Sequence, residues 1–325
     1  MQRFMSVALT TIALAAGSHV QAQTPAYPSK LIRMVVPYAA GGGLDSITRL
    51  VAQAMSEGLA QSIVVDNKGG AGGMIGAEIV AKASPDGYTL LMAGNPELVI
   101  NPTLTPGARY NVTKDFIPIM LVAESPNILV TQSNFNANWR DIVSGSQRSA
   151  EPLTVATPGQ GSPQHLTVAV LKSMSKNDFV HVPYKGAGPA VIDVLGGQVR
   201  LALTGSPPLL PHIKSGKLKA IAVTQPKRSS LLPDIPTLEE AMGISGLENY
   251  STWYGLLAPA QTPQAVIDKL QKNLSAVLAR PEIKVKLNEM GSEVVALPAA
   301  AFGERIKSEH KRYEDIIRRF NIKAE

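Results

Sequence analysis

Hydrophobic and polar positions follow two alternating periods along most of this chain. Short runs rich in aliphatic and β-branched residues, such as Leu31–Pro37 and Tyr88–Met92, are strand-like. Longer runs follow them, and in the first, Leu44–Leu59, apolar residues recur every three or four positions. Strands that alternate with helices of this length typically form parallel sheets. We therefore predict an α/β protein whose parallel sheet carries helices on both faces.

The same alternation begins a second time in the middle of the chain. Phe116–Val130 contains two β-like pieces that Ser125-Pro126 separates, and strands and helices then alternate to Val223. Trp253–Pro259 is a second candidate for a crossover between domains. We predict two α/β domains joined by two crossover segments, near Ser125 and Gly255, with a cleft between them. The predicted boundaries are residues 27–124 plus 254–325 for domain 1 and residues 125–253 for domain 2.

Other segments carry weaker signals. Asn95–Tyr110 is rich in proline and glycine and predicts an irregular connection. Trp139–Ser146 has the pattern of a helix. Pro263–Glu325 predicts helices, apart from a short strand at Glu293–Ala296.

Glycine-rich turns connect several strands to the helices that follow them. Two lie in the first domain, around Gly41–Gly43 and Asn67–Gly73, and two in the second, at Thr157–Gly161 and Tyr184–Pro189. Glycine leaves its amide uncovered by a side chain. The first N–H groups of a helix have no partner within it, and the helix dipole favours an anion there. The pattern therefore predicts a seat for a negatively charged ligand.

The first 22 residues have the composition of a signal peptide. Arg3 supplies a positive start, Phe4–Ala16 is apolar, and Val20-Gln21-Ala22 is typical of a cleavage site. The chain has no cysteine, which excludes a lipid anchor on cysteine, disulfides and thiolate metal sites. We predict a soluble protein exported to the periplasm without a lipid anchor.

The charge pattern does not favour nucleic acid as a partner. The formal net charge is +6, but the basic residues are scattered until the mixed-charge run Glu304–Lys323. That run predicts an amphipathic helix with a solvated face. The chain has two tryptophans and no interleaving of basic and aromatic residues.

Motifs for nucleotides, metals and catalysis are also missing. Gly70, Gly72 and Gly76 give G-x-G-x-x-x-G rather than the dinucleotide fingerprint, and Gly41–Gly43 lacks a P-loop lysine. No second histidine stands at metal-ligand spacing from His165. No nucleophile, base and orienting residue assemble in the sequence. We predict no cofactor, no metal site and no catalytic residue.

Three polar residues near the glycine turns have competing structural and functional interpretations. Asp45 in the first turn of a helix favours pairing with the helix dipole over catalysis. Ser162 before Pro163 is a good helix cap that can also contact a ligand. His165 is more typical of a packed side chain than of a ligand for metal.

Ordered motifs along the mature chain resemble one known family. They are Tyr27–Lys30, Val36–Tyr38, Gly41–Asp45, Asn67–Gly73, Ala83–Leu90, His181–Gly186, Leu195–Val199, Leu232–Thr237 and Ala258-Pro259. Together they are similar to the Bug (Bordetella uptake gene) family, TctC-like periplasmic solute-binding proteins of tripartite tricarboxylate transporters. The resemblance implies a type II periplasmic-binding-protein fold and a small organic carboxylate as ligand.

The resemblance also implies partners and site residues. The partners would be the membrane subunits of a tripartite transporter, with the receptor itself a monomer. A receptor that signals to a sensor kinase and an exported enzyme that acts on a carboxylate remain alternatives. The resemblance and the glycine turns give these candidate ligand-binding residues: Tyr38, Ala40, Gly41, Gly42, Gly43, Asp45, Asn95, Glu97, Gly161, Ser162, His165, Tyr184, Gly186, Ala187, Gly188, Thr204 and Ser206.

Two stretches near the expected cleft depart from the family pattern. They are Asn95–Leu98 and Thr204–Ser206, and both are expected to alter specificity. For Glu97 we expect a solvent-facing loop acid, because loop acids are usually exposed. If Glu97 instead faces the cleft, its charge would repel an anion, and the ligand would need a cationic or hydrogen-bond-donating group.

Overall fold

A computed structural model describes residues 27–105, 107–135, 139, 152–174, 178–245, 247 and 250–323. The predicted leader Met1–Ala22 and, apart from Trp139, the helix predicted at Trp139–Ser146 lie outside these residues. In the described part of the chain, no helix is long and apolar enough to cross a membrane.

The first sheet has six strands in the order β11-β4-β10-β3-β1-β2. It draws on both ends of the described chain. Its strands are β1 (Ile32–Val36), β2 (Ile63–Asn67), β3 (Thr89–Gly94), β4 (Phe116–Ser125), β10 (Thr252–Pro259) and β11 (Glu293–Pro298). The helices around it are α1 (Gly43–Leu59), α2 (Met74–Ala81), α3 (Asn101–Leu104), α8 (Gln264–Ala279), α9 (Pro281–Glu289) and α10 (Ala299–Arg319).

The second sheet has five strands in the order β7-β6-β8-β5-β9 and uses the middle of the chain. Its strands are β5 (Asn127–Gln132), β6 (Leu153–Thr157), β7 (Phe179–Pro183), β8 (Leu201–Gly205) and β9 (Leu218–Val223). The described helices of this part are α4 (Pro163–Met174), α5 (Ala187–Leu195), α6 (Ser206–Lys214) and α7 (Leu238–Met242).

The sequence predicted a parallel sheet, but both sheets of the structure are mixed. Strand β1 pairs in parallel with β2 and β3, but β10 is antiparallel to both β3 and β4. In the second sheet β6 is parallel to β7 and β8, whereas β5 is antiparallel to β8 and β9. The antiparallel strands β4, β5 and β10 flank the crossings between sheets. The hydrophobic periodicity of a strand does not show whether it pairs in parallel or antiparallel with its neighbours.

Helix α1 shows how the apolar stripe places the first glycine turn. Ile47, Val51 and Met55 have no exposed surface and pack in the core beneath the sheet. The helix ends at Leu59, where Ala60 adopts a left-handed conformation with φ of 51°. Burial of this stripe fixes the rotation of the helix about its axis, and the short turn after β1 places its N-terminus near the carboxyl end of that strand.

The segment Asn95–Tyr110 is more regular than the sequence predicts. Residues Pro96–Ile100 form one turn of π-helix, and α3 follows it directly. Both short helices carry proline in the first turn, where a missing N–H costs no intrahelical bond. Leu98, Val99 and Ile100 are fully buried, so tertiary packing stabilises a turn that composition alone predicts to be irregular.

The chain crosses between the two sheets where the sequence predicted the first crossing. Strand β4 ends at Ser125 and β5 begins at Asn127, so Pro126 separates them as predicted. The return crossing was predicted near Gly255 but lies earlier, because Gly255 is inside β10, which begins at Thr252 and belongs wholly to the first sheet. The crossing segments are tied together, because Asn127 Nδ2 donates to the carbonyl oxygen of Tyr250 at 2.5 Å.

Candidate functional site

A cavity of about 520 Å³ lies between the two sheets at the N-termini of four helices. Helices α1, α4, α5 and α6 all begin at its wall, and three of them follow glycine-containing turns named above. Its lining is Tyr38, Gly42, Gly43, Leu44, Asp45, Gly72, Gly94, Pro96, Glu97, Asn101, Pro158, Gly159, Gln160, Gly161, Ser162, Pro163, Gln164, Ala187, Thr204, Gly205, Pro207, Pro208, Thr252 and Tyr254. The positive dipole ends of these helices make the cavity suited to an anion. Pro163, Pro207 and Pro208 supply no N–H, so α4 and α6 contribute fewer free amides than α1.

Asp45 holds the turn that precedes α1 in place. Its carboxylate accepts hydrogen bonds from the Gly41 amide at 2.9 Å and from Asn67 Nδ2 at 3.0 Å. Arg49, one turn later, pairs with it at 3.0 Å. Burial raises the pKa of Asp45, but these donors outweigh burial and leave the pKa below its usual value. Its charge is therefore compensated within the protein by Arg49 and these two donors, whereas the sequence had predicted pairing with the helix dipole.

Ser162 caps α4 at the opposite wall of the cavity. Its hydroxyl accepts from the His165 amide at 3.1 Å and donates to the carbonyl oxygen of Gly159 at 2.7 Å. The capping interpretation is thus confirmed, and Ser162 also lines the cavity. Gly161 has φ of +69°, and a Cβ there would lie 2.7 Å from the Leu104 side chain of the facing domain. The two walls therefore approach each other closely at this glycine.

His165 is packed behind this turn rather than in the cavity. Its Nδ1 accepts from the Gly161 amide at 3.1 Å, and its ring stacks on His181 with centroids 4.0 Å apart. Burial lowers the pKa of His165 to about 4. For His181, burial and the neighbouring imidazole lower the pKa to about 3. Both rings are neutral near pH 7 and help to position the turn.

Glu97 is buried, so the expectation of a solvent-facing loop acid is wrong. The residue has no exposed surface and lies at the cavity wall, directly after β3. Its Oε1 accepts from the Gly94 amide at 2.6 Å, and its Oε2 accepts from the Tyr38 hydroxyl at 2.8 Å. The backbone of Gly73 covers it, because a Cβ there would lie 2.8 Å from Glu97 Cβ. The chain winds into a helical turn after β3, and this directs the Glu97 side chain into the interior. The composition of the segment does not predict that helical turn.

The structure brings some of the predicted site residues to the cavity and places others elsewhere. Those at the cavity are Tyr38, Gly42, Gly43, Asp45, Glu97, Gly161, Ser162, Ala187 and Thr204. Those not among its lining are Ala40, Gly41, Asn95, His165, Tyr184, Gly186, Gly188 and Ser206. Ligand contact by the first group stays a prediction.

Residues of the second group have other roles in the structure. Gly41 donates to Asp45, and His165 supports the α4 turn. Asn95 is fully buried and donates to the carbonyl oxygen of Ser251 at 2.9 Å. The Tyr184 hydroxyl donates to Asp193 at 2.6 Å, and the Ser206 hydroxyl donates to the carbonyl oxygen of Gly291. These residues therefore bond elsewhere in the protein, although sequence neighbours of Gly41, Asn95, His165 and Ser206 line the cavity.

Five polar side chains at the cavity were not among the predicted site residues: Asn101, Gln160, Gln164, Thr252 and Tyr254. Gln164 follows the Ser162-Pro163 helix start, so its place in the first turn was a usable signal. Asn101 Nδ2 donates to the carbonyl oxygen of Gly72 at 2.7 Å, which requires a helix after β3. Thr252 and Tyr254 belong to β10, whose position only the tertiary structure reveals.

The charged side chains at the cavity are acidic. Among the described residues that line it, Asp45 and Glu97 are the charged ones, with no lysine, arginine or histidine. An anion bound here would depend on backbone amides, helix dipoles and neutral donors such as Gln164 and Asn101. This lining therefore favours recognition of an anion by neutral donors rather than by cationic side chains.

Two mixed α/β sheets with a cavity between them define a two-domain solute-binding protein of the type II periplasmic-binding-protein fold. The sequence profile described as "Tripartite tricarboxylate transporter family receptor" (TctC) matches residues 47–322. The chain therefore belongs to this family, and the predicted resemblance is confirmed. The family consists of solute-binding receptors.

Three solved structures are similar to the chain over nearly its whole length. Periplasmic binding protein BugD is 35% identical, with a TM-score of 0.77, over 92% of this chain and 100% of BugD. Rpa4515 of R. palustris with adipate is 30% identical, with a TM-score of 0.80, over 91% and 99% of the two chains. MatC from Rhodopseudomonas palustris with bound malate is 31% identical, with a TM-score of 0.76, over 90% and 100%.

Proposed function

We propose that this chain is a periplasmic receptor that captures a small organic carboxylate in the cavity and delivers it to the membrane subunits of a tripartite transporter. The observation that carries the proposal is the convergence of four helix N-termini on a cavity whose lining, among the described residues, contains no lysine, arginine or histidine. Such a wall offers donors and positive dipole ends to an anion but no strong cation that would hold it permanently.

The two walls would hold different parts of the ligand. On one side, Gly42, Gly43 and Leu44 present the first turn of α1, and on the other, Gly161 and Ser162 precede α4. Gln164 and Asn101 add neutral side-chain donors. A cavity of about 520 Å³ falls in the range of small-molecule sites and would enclose a ligand of a few carbons. Adipate and malate, bound by two relatives, are ligands of this class.

The proposed receptor works as a monomer, is exported by the segment Met1–Ala22, and does not turn its ligand over. Release of intact ligand after denaturation of the saturated protein would support binding without turnover. Recovery of a converted product would contradict it. Periplasmic extraction of cells that express the full chain should yield protein that begins after Ala22. Retention of the leader on the extracted protein would contradict export by cleavage.

A thermal-shift screen tests the proposed ligand class. The panel comprises mono-, di- and tricarboxylates, each beside its uncharged methyl ester as the matched control. A ligand at about 100 times its Kd stabilises the folded state by roughly 2.7 kcal/mol. We expect at least one acid to raise Tm while its ester does not. Equal shifts with acids and esters, or no shift across the panel, would refute carboxylate recognition.

A further inference from the structure

Glu97 is an acid without a counter-ion at the wall of a cavity proposed to hold an anion. The other acid at the cavity, Asp45, pairs with Arg49 at 3.0 Å. No lysine, arginine or histidine of the described residues forms an ion pair with Glu97. A bound carboxylate would therefore lie beside an uncompensated negative charge whenever Glu97 is ionised.

The groups that face Glu97 from neighbouring elements do not supply a positive charge. Tyr38 of the turn after β1 and Tyr254 of β10 are close enough to interact electrostatically with it. The Tyr110 hydroxyl donates to the backbone carbonyl oxygen of Glu97. Glu78 of α2, which acts on Tyr110, adds negative charge. Burial raises the pKa of Glu97 to about 7, although the Gly94 amide and the Tyr38 hydroxyl oppose the rise.

Helix α10 also packs on the π-helical turn that carries Glu97. Two of its arginines pair with acids of the same helix and of β4 rather than with Glu97. Arg305 forms ion pairs with Glu124 and Glu309, and Arg312 lies 3.7 Å from Glu309. These cations are therefore already committed to other acids.

Tyr38 can satisfy either protonation state of Glu97 without moving. Its hydroxyl oxygen lies 2.8 Å from Glu97 Oε2 and 3.3 Å from the carbonyl oxygen of Gly72. When Glu97 is ionised, the hydroxyl donates its proton to Oε2. When Oε2 carries a proton, Oε2 donates to the Tyr38 oxygen, and the hydroxyl proton turns to Gly72. Every polar atom keeps a partner in both states.

We propose that Glu97 takes up one proton when an anionic ligand is captured, with Tyr38 reversing its hydrogen bond to accept the protonated acid. This inference rests on the proposed function. Glu97 acts as a positioning residue through Tyr38 and through its charge, because it has no exposed surface for a ligand to touch. Each carboxylate oxygen already accepts a protein hydrogen bond. Direct pairing with a cationic group of the ligand is therefore not required.

Isothermal titration calorimetry with adipate and with malate tests this coupling. Titrations at about pH 6, pH 7 and pH 8.5 in buffers of different ionisation enthalpy count the protons taken up. Both probes are fully ionised dianions at neutral and alkaline pH, so the linkage reports the protein. We expect close to one proton per bound ligand at about pH 8.5 and few at about pH 6. Affinity should fall by up to about tenfold for each unit of pH above neutrality.

Two variants and one control assign the proton to Glu97. Glu97→Gln resembles the protonated acid and should bind with an affinity independent of pH and with no proton uptake. Tyr38→Phe removes the donor that stabilises ionised Glu97, so the pH at which affinity begins to fall should move upward. Exposed Glu289→Gln should retain the pH profile of the unmodified protein. Tyr38→Phe keeps the proposal testable if Glu97→Gln does not fold.

The outcomes separate this inference from the proposed function. Binding of adipate or malate with constant affinity and no proton uptake would overturn the inference and leave the receptor function standing. An unchanged pH profile in Glu97→Gln, or in Tyr38→Phe, would overturn it as well. Failure of both probes and of every other carboxylate to bind across the pH range would overturn the receptor function together with this inference.

Discussion

The side-chain amide of Gln164 donates a 2.7 Å hydrogen bond to Oδ1 of Asn127. Gln164 lines the cavity in the first turn of α4, whereas Asn127 begins β5 at the first crossing between the sheets. Asn127 also bonds the carbonyl oxygen of Tyr250 at 2.5 Å and the Thr252 hydroxyl at 3.2 Å. The fully buried side chain of Asn127 therefore connects both crossings between the sheets to the wall of the cavity.

Asn127→Ala should weaken stability and ligand affinity together. It leaves the Gln164 amide without this acceptor and the Tyr250 carbonyl oxygen without this donor, and unpaired buried groups cost about 1–3 kcal/mol. Urea unfolding measures the stability change, and calorimetry with the ligand found in the screen measures affinity. Exposed Asn288→Ala is the control and should change neither. A normal affinity in Asn127→Ala would show that this contact does not support the site.

Gly42→Val should abolish most ligand binding and leave the fold intact. Gly42 has φ of −77° and ψ of 169°, an extended conformation that valine adopts, and the nearest atom to a Cβ there is 3.8 Å away. The valine side chain would block access of the ligand to the first amides of α1, so we expect affinity to fall by more than about tenfold. Calorimetry and circular dichroism measure the two properties.

Gly41→Ala, in the same turn, should lower stability, whereas Gly42→Val should lower ligand affinity. Gly41 has φ of +88° and open space at its Cβ position. Alanine there should reduce the free energy of unfolding by about 1 kcal/mol through backbone strain. Equal stability losses in the two variants would contradict the assignment of strain to Gly41 alone.

Gly161→Ala should favour separation of the two walls. Its Cβ would lie 2.7 Å from Leu104 Cδ1 and 3.3 Å from Asn101 Oδ1 of the other domain, so these side chains would have to shift when the walls are close but not when they are apart. Small-angle scattering should show that the radius of gyration falls when the unmodified protein binds ligand and falls less in the variant. Gly216→Ala is the matched control, since Gly216 has φ of +70° and open space around it. Identical radii with and without ligand in the unmodified protein would rule out closure.

Glu97→Gln should gain stability relative to the unmodified protein as pH rises. The ordinary pKa of 4.5 applies to the unfolded chain, and burial raises the folded pKa to about 7. Between these values the folded state holds a proton that the unfolded state has lost, so stability falls as pH increases through this window. The loss is on the order of 3 kcal/mol. Urea unfolding of both proteins at about pH 5 and pH 8 measures it, and parallel curves would contradict it.

Acid should destabilise the protein through the stacked histidines. Burial lowers the pKa of His165 to about 4, and burial with the neighbouring ring lowers that of His181 to about 3. Below the ordinary value of 6.5 the unfolded chain binds protons that the folded state excludes, so stability decreases as pH falls. His181→Phe keeps a stacked ring without this titration and should lose less in Tm between about pH 7 and pH 5. His212→Phe serves as control, and an equal acid loss in His181→Phe and the unmodified protein would refute the assignment.

The local pattern of the sequence predicted the helices and strands well where it was strong. Helix α1 and strand β1 lie within one residue of their predicted bounds, because apolar spacing reflects which face of each element is buried. The break at Ser125-Pro126 was also visible, since proline interrupts a strand ladder. Family membership followed from ordered motifs spread over the mature chain, and the sequence profile confirmed it.

Only the tertiary structure decided how these pieces meet. Strand β10 lies antiparallel between β3 and β4, a pairing between residues more than a hundred positions apart that local periodicity does not encode. The same packing turned Glu97 inward beneath Gly73 and directed Asn95 to Ser251 instead of the cavity. Sequence alone therefore determined the elements, the glycine turns and the family. Which side chains face the cavity depends on contacts between residues that are far apart in the sequence, because a side chain becomes buried only when the core has assembled.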